Sequence, residues 1–214
     1  VGNPKNELLS TLKSLDPRNL ILDFNPLNGP KKIRKMLKSK LDCEITLVDT
    51  HNIIPTWVLS DKEEYAAHTI RNKVHKQLKN WLIEPETINK HPYKWSKETR
   101  INNWKIIQSS LLKVASNGSI IKQKSGEVHA IEALKDFVDY RLNNYAISRN
   151  DPTIDGQSNM SLYLHYGQIS SLRIILEILK ICDDEPLLFK KGKLASFEGK
   201  HTQLDSINAF FEEL

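Results

Sequence analysis

Two short apolar runs set the tightest limit on how this chain can fold. Asn19-Leu-Ile-Leu-Asp-Phe24 and Glu44-Ile-Thr-Leu-Val48 each have the length of a strand and are bounded by turn residues. Between them, after the loop Asn25-Pro-Leu-Asn-Gly-Pro30, the stretch from Lys31 to Leu41 sets Ile33, Met36, Leu37 and Leu41 on one side of a helix. Strand, helix and strand with short connections make a βαβ unit whose strands are parallel neighbours. Two strands cannot cover their own faces, so the pattern predicts a larger parallel sheet whose other strands lie upstream of Val1. A further helix, Asn6 to Leu15 with Pro4 at its start, precedes the unit and is broken by Asp16-Pro17.

After Val48 the alternation stops. Asp49 to Pro55 reads as a connector, Asp61 to Leu82 is helical in composition, and Ser96 to Val114 contains another helix between polar loops at 86–94 and 117–126. Glu127 to Tyr145 is the clearest helix, with Ala130, Ile131, Leu134, Phe137, Val138, Leu142 and Tyr145 at 3.6-residue spacing. A helix after Ser170 turns Leu172, Ile175, Leu176, Leu179 and Cys182 inward, and a charged insertion fills 183–202. Leu204 to Leu214 begins a last helix with Ile207, Phe210, Phe211 and Leu214 on one face, and it reaches the chain end without a C-cap. The predicted fold class is an α/β remnant, the βαβ part of a parallel-sheet domain, followed by part of an all-α domain. With no initiator Met before Val1-Gly2-Asn3-Pro4, the expectation is an internal piece of a longer protein.

Composition removes several classes. Apolar residues are 39% and charged residues 27% of 214, enough for a packed core and too little bias for long disorder. No run of eighteen apolar residues exists, so no membrane partner is expected and the chain reads as soluble. Cys43 and Cys182 cannot build a disulfide framework, which favours a reducing compartment. The histidines do not fall at ligand spacing with the cysteines, so no metal is expected. The net charge of +5 is unevenly spread: residues 51–125 carry 13 basic and 6 acidic side chains, a net +7, and include Trp81, Trp95 and Trp104. Positive charge interleaved with aromatics suits a polyanion, while a lysine-rich solvated face explains the charge equally well.

The stretch most able to carry chemistry runs from Tyr145 to Ser170. A helix ends in Arg149-Asn-Asp-Pro152, and a hydroxyl-rich Gln157-Ser-Asn-Met-Ser161 leads into a short helical turn and Gly167. Serines and successive backbone amides at a helix start make a phosphate cradle. N-capping by Ser161 and Ser170 is the commoner use of such serines, and both uses are open at this point.

These residues resemble a known family. Val48-Asp-Thr-His-Asn-Ile-Ile-Pro55, Trp57, Ser60-Asp-Lys-Glu-Glu-Tyr-Ala-Ala67 and Thr69-Ile-Arg71 resemble the domain junction of class II DNA photolyases. Tyr145 to Arg173 resembles their flavin-binding segment, and the two motifs stand in the family's order. His68 stands where the family has Arg, Leu162 where it has Pro, and Gln157 where it has an apolar residue. The resemblance implies residues 1–50 as the C-terminal part of an antenna domain, 51–90 as connector and first helix, and 91–214 as the N-terminal part of a helical FAD-binding domain.

It further implies that Tyr145 contacts FAD, that Gln157, Ser158, Asn159, Met160 and Ser161 line its diphosphate, and that Phe210 packs near the flavin. Arg149 would reach DNA phosphate, and Glu213, on the active-site helix begun by Phe210-Phe-Glu-Glu-Leu214, would hydrogen-bond the flipped-out dimer as a carboxyl protonated through burial. Without the resemblance, Glu213 is an ordinary exposed helix glutamate and Tyr145 is core filler. The implied enzyme is a deoxyribodipyrimidine photo-lyase, which uses light and reduced FAD to repair ultraviolet-damaged DNA. A second antenna chromophore, a folate or a deazaflavin, goes with it, as do a monomeric full-length state and a cytoplasmic location, or a nuclear one in a eukaryote. Two other readings share some features: a cryptochrome-like flavin photoreceptor without repair, and a flavin-free helical DNA-binding protein.

Overall fold

The computed structural model describes residues 4–90, 92, 104–115, 123–181 and 203–214. In chain order these form α1 (Pro4–Leu15), β1 (Asn19–Asp23), α2 (Asn28–Lys40), β2 (Glu44–Val48), α3 (Thr56–Leu59), α4 (Ala67–Trp81) and α5 (Trp104–Ala115). After them come α6 (Glu127–Tyr140), a 3-10 turn (Leu142–Asn144), α7 (Tyr145–Ser148), α8 (Ser161–His165), α9 (Ser171–Leu179) and α10 (Gln203–Phe211).

The two strands pair in parallel, Asn19 opposite Glu44 through Asp23 opposite Val48. Alternation works as the pleat requires: Leu20, Leu22, Ile45 and Leu47 are half-buried on one face, while Ile21 on the other stays 67% exposed. α2 starts earlier than its apolar spacing predicts, because Pro30 falls in the first turn, where a missing N–H costs nothing. Its anchor is Leu37, 1% exposed, a burial worth about 1.5–3 kcal/mol.

The main core lies in the helical part. Leu134, Phe137, Leu142, Tyr145, Met160, Tyr163, Ile174, Ile178, Ile207 and Phe210 belong to one cluster contributed by α6 through α10. The single helix expected from Glu127 to Tyr145 is three pieces instead. α6 ends at Tyr140, and Arg141 turns its guanidinium to Asp136 (2.6 Å) and Asp155 (3.7 Å). Asn143 and Asn144, poor interior helix formers, then take the 3-10 turn. Leu142 and Tyr145 still reach the core, so the stripe survives the break.

Three other expectations are corrected. α4 begins at Ala67 rather than near Asp61, because Ser60, Glu64 and Lys73 pin the preceding segment as a loop. In α9 Ile175 and Leu176 are buried as expected, Ile174 and Ile178 are buried as well, and Leu172 and Leu179 are only half-buried; Cys182 lies outside the described residues. α10 ends at Phe211, leaving Glu212 and Glu213 in a turn. Trp95 and the 183–202 insertion also lie outside the described residues. Among the described residues no helix is long and apolar enough to cross a membrane.

Candidate functional site

Two segments about sixty residues apart in sequence build one corner of the helical part. The Ser206 hydroxyl, fully buried in α10, accepts from the Ala146 amide (3.1 Å) and donates to the Asn143 carbonyl (2.9 Å). This locks α10 against the 3-10 turn and α7. Beside the lock, Tyr145 meets Phe210 edge-to-face at 5.2 Å and Phe137 at 5.5 Å, and Phe137 and Phe210 are 4.7 Å apart. Such aromatic pairs add about 0.5–1.5 kcal/mol beyond area burial. At the rim, Arg149 Nη1 donates to Glu213 Oε1 at 2.6 Å. Burial, with the nearby Glu213 charge, pushes the Tyr145 hydroxyl above its ordinary range, and Arg149 partly opposes this.

The loop after α7 is fastened to the same corner. Thr153 closes a turn on Asp151, its amide and hydroxyl donating at 2.9 and 2.6 Å. Gly156 then passes so close to Ser148 that a Cβ there would stand 2.5 Å from Ser148 Oγ and 2.7 Å from its carbonyl oxygen. The Gln157 side-chain amide donates to the Arg149 carbonyl. Met160, 1% exposed, plugs the loop into the core, and Asn159 before it is left-handed at φ 59°. Ser158 Oγ accepts from the Met160 amide at 3.4 Å. Gly167, at φ 63°, ends α8: its amide bonds the Leu164 carbonyl and that of Gln168 the Tyr163 carbonyl, a Schellman closure.

Of the two serines that could cap helices, only Ser170 does, accepting from the Arg173 amide at 3.1 Å. Ser161 is the exposed first residue of α8, and its hydroxyl has no hydrogen bond among the described residues. α8 has only five residues, so its dipole is small and adds little to a phosphate cradle at its start. What remains is an exposed polar stretch, Gln157 to Ser161, held down by Met160.

The structure therefore brings Tyr145, Arg149, Gln157, Phe210 and Glu213 together, with Ser158 to Ser161 following along the same loop. Tyr145 and Phe210 are core residues, 5% and 2% exposed. Glu213 is not on a helix, and its side chain is 59% exposed rather than buried as expected. Sequence reasoning missed Ser206 and Gly156, and it missed Glu212. The Glu212 carboxylate, 14% exposed, lies 3.0 Å from Arg71 Nε and 2.8 Å from His75 Nε2, tying α4 to the turn. Periodicity could not have shown these, because each is a contact between distant segments.

A second polar constellation stands where β2 leaves the sheet. Asp49, 7% exposed, accepts from the amides of His51, Asn52 and Thr56 and from the Asn52 side chain, at 3.0–3.2 Å. Burial alone would raise this carboxyl, but the hydrogen bonds outweigh it and hold it below the usual carboxylate range. Asp followed by amides two and three residues on is an Asx turn, a signal present in the sequence. At the carboxyl ends of the strands, a cleft of about 830 Å³ is lined by Phe24, His51, Thr56 and Trp57 among others, with Phe24 and Trp57 edge-to-face at 5.5 Å.

No protein-family model matches the chain. Curated proteins do. It is 33% identical over 182 residues to the deoxyribodipyrimidine photo-lyase of Potorous tridactylus, covering 84% of this chain and 34% of the relative. The proteins of the same name from Arabidopsis thaliana and Oryza sativa subsp. japonica are 32% and 33% identical, over 86% and 100% of this chain and 39% and 40% of their own length. The chain thus spans about a third to two fifths of these relatives. Among solved structures, a bacterial class III photolyase from Agrobacterium tumefaciens shares the fold with a TM-score of 0.55 at 18% identity, over 99% of this chain and 42% of that one.

Proposed function

The chain is a relative of the deoxyribodipyrimidine photo-lyases, matched over a third to two fifths of their length, and from that premise we propose that it supplies the domain junction and first part of the flavin site of an enzyme that splits cyclobutane pyrimidine dimers in DNA under light. The convergence of Tyr145, Arg149, Phe210 and Glu213 on one corner carries this reading. The resemblance of the Val48–Arg71 and Tyr145–Arg173 segments favours the class II branch. Residues 1–50 then belong to the antenna domain, 51–90 to the connector and first helix, and 91–214 to the helical domain.

The residues present fit FAD. Gln157, Ser158, Asn159 and Ser161 offer hydroxyls and amides on an exposed stretch, and the Ser161 hydroxyl is free among the described residues. Tyr145 and Phe210 pack in the core that Met160 of this stretch also enters. When bound, reduced FAD supplies the light-driven electron that opens the dimer and takes it back. The cleft beside Phe24 and Trp57, at the carboxyl ends of parallel strands, suits a planar antenna chromophore.

The protein's own part is recognition and charge. Flipping a damaged step is cheap because it is already poorly stacked, and basic residues of 51–125 hold the phosphates. Arg149 and Glu213 neutralise each other at 2.6 Å until DNA arrives. A phosphate then takes the guanidinium, and the released Glu213 carboxylate hydrogen-bonds the flipped-out dimer.

Repair is the test. The complete polypeptide containing these residues, reduced and illuminated, should restore thymine in an oligonucleotide holding one thymine dimer. Glu213→Gln should lower the repair yield per absorbed photon at unchanged flavin content, and Arg149→Ala should weaken DNA binding first. Full flavin occupancy without restored thymine would overturn the repair reading in favour of a photoreceptor. A preparation that takes up no flavin would leave a plain DNA-binding protein.

A further inference from the structure

The most one-sided charge among the described helices is on α2. α2 carries Lys31, Lys32, Arg34, Lys35, Lys38 and Lys40 in thirteen residues with no acidic side chain. None of the six makes an ion pair or side-chain hydrogen bond among the described residues. Four of them, Lys31, Arg34, Lys35 and Lys38, line a groove of about 630 Å³ between α2 and β2, floored by Ile45 and rimmed by one carboxylate, Glu44. Lys32 and Lys40 do not line it.

We propose that this groove is a second nucleic-acid contact, binding the phosphate backbone of DNA without regard to damage. Its four cations follow i, i+3, i+4, i+7 spacing, so they share one helix face and span about 10 Å along the axis. One DNA strand presents a phosphate about every 3.4 Å of its axis, so the stripe matches roughly three phosphates. A stripe of that length is no longer than the Debye length near 0.1 M salt, so its charges act on a polyanion together. With Glu44 counted, the groove is +3, and that excess has no internal carboxylate to satisfy it. A linear polyanion fits the row of cations better than a compact anion, which would use only one or two of them.

Binding of the complete polypeptide containing these residues to a short undamaged duplex, followed by fluorescence anisotropy between about 50 and 200 mM salt, tests the proposal. Undamaged DNA keeps this test separate from lesion recognition, whose own measure is the preference for dimer-containing DNA. The double variant Lys35→Gln with Lys38→Gln should weaken binding by about tenfold at the lower salt and flatten the logarithmic salt dependence by nearly two units. Lys32→Gln with Lys40→Gln removes the same charge off the groove and should change the slope by less than half as much. Glu44→Gln should tighten binding severalfold. Circular dichroism melting checks that each variant is folded, and the exposed Glu44→Gln change keeps the test alive should a lysine pair destabilise the helix. Equal effects of the two lysine pairs, no effect of Glu44→Gln, or displacement of DNA by polyglutamate as readily as by more DNA would each overturn the proposal.

Discussion

Replacing Ser206 by Ala tests whether the lock between α10 and α7 holds the candidate site. The hydroxyl is fully buried, accepting from the Ala146 amide and donating to the Asn143 carbonyl. Its loss strands the amide at the start of a helix, where no intrahelical acceptor is available. Asn143 is exposed, so water can replace the hydroxyl at its carbonyl. The cost is therefore that of one unsatisfied buried donor, about 1–3 kcal/mol. For a chain of this size each kcal/mol lowers Tm by about 2–4 °C, so a fall of about 4–8 °C is expected for the middle of that range. Ser39→Ala is the control, because that exposed hydroxyl bonds only the Met36 carbonyl of its own helix. Thermal melts of the two variants give the magnitude, and amide hydrogen exchange gives the cause: Ala146 should lose protection ahead of its neighbours. A Ser206→Ala melt indistinguishable from Ser39→Ala would refute the reasoning, as would a lower Tm with Ala146 still protected.

Two further outcomes follow from the same contacts. Gly156→Ala should destabilise by about 1–3 kcal/mol through overpacking against Ser148, seen as a lower urea midpoint; Ser148→Gly should rescue it only in part, because the Ser148 carbonyl stays 2.7 Å from the new Cβ. Glu64 is held down to about 2 by hydrogen bonds from Lys73, Thr69 and Ser60; with a depressed folded value, its contribution is present above the ordinary 4.5 and lost as pH falls from there toward 2, so Glu64→Gln should flatten acid unfolding in that window.

The parts legible in the sequence were those with a local cause. β2 needed only a five-residue stretch in which Ile45, Leu47 and Val48 outnumber Glu44 and Thr46, and the residues of the Glu127–Tyr145 stripe reached the core even though the helix broke beneath them. At the break Arg141 pairs with Asp136 and reaches Asp155, fourteen residues on, and no window of helical spacing contains that second pair. α4 was read too long for a similar reason: Lys, Glu and Ala favour helix from Asp61, but Lys73 draws Ser60 and Glu64 into a loop. Gln157 to Ser161 were found as a polar loop from their hydroxyls, whereas the anchoring role of Met160 required knowing the core it enters. Asp49 lay within a recognised motif, yet its work is geometric: it turns the chain from the sheet into the helices.

Glu212 and Glu213 show most sharply what three dimensions add. In sequence they are equivalent neighbours, and either suits a carboxylate site. α10 is buried from Ser206 through Phe211, pressed by α7 and the 3-10 turn on one side and by Ile175 and the connector on another. When such a helix ends, the next two side chains diverge. Glu212 turns inward, 14% exposed, to Arg71 and His75 on α4, where its carboxylate has little access to water to replace either partner. Glu213 turns outward, 59% exposed, to Arg149 alone, and an exposed pair is worth only about 0–1 kcal/mol. The inner carboxylate is therefore committed to holding α4, while the outer one can exchange its partner for a ligand at little cost. Of two adjacent glutamates, packing leaves Glu213 as the one free to act.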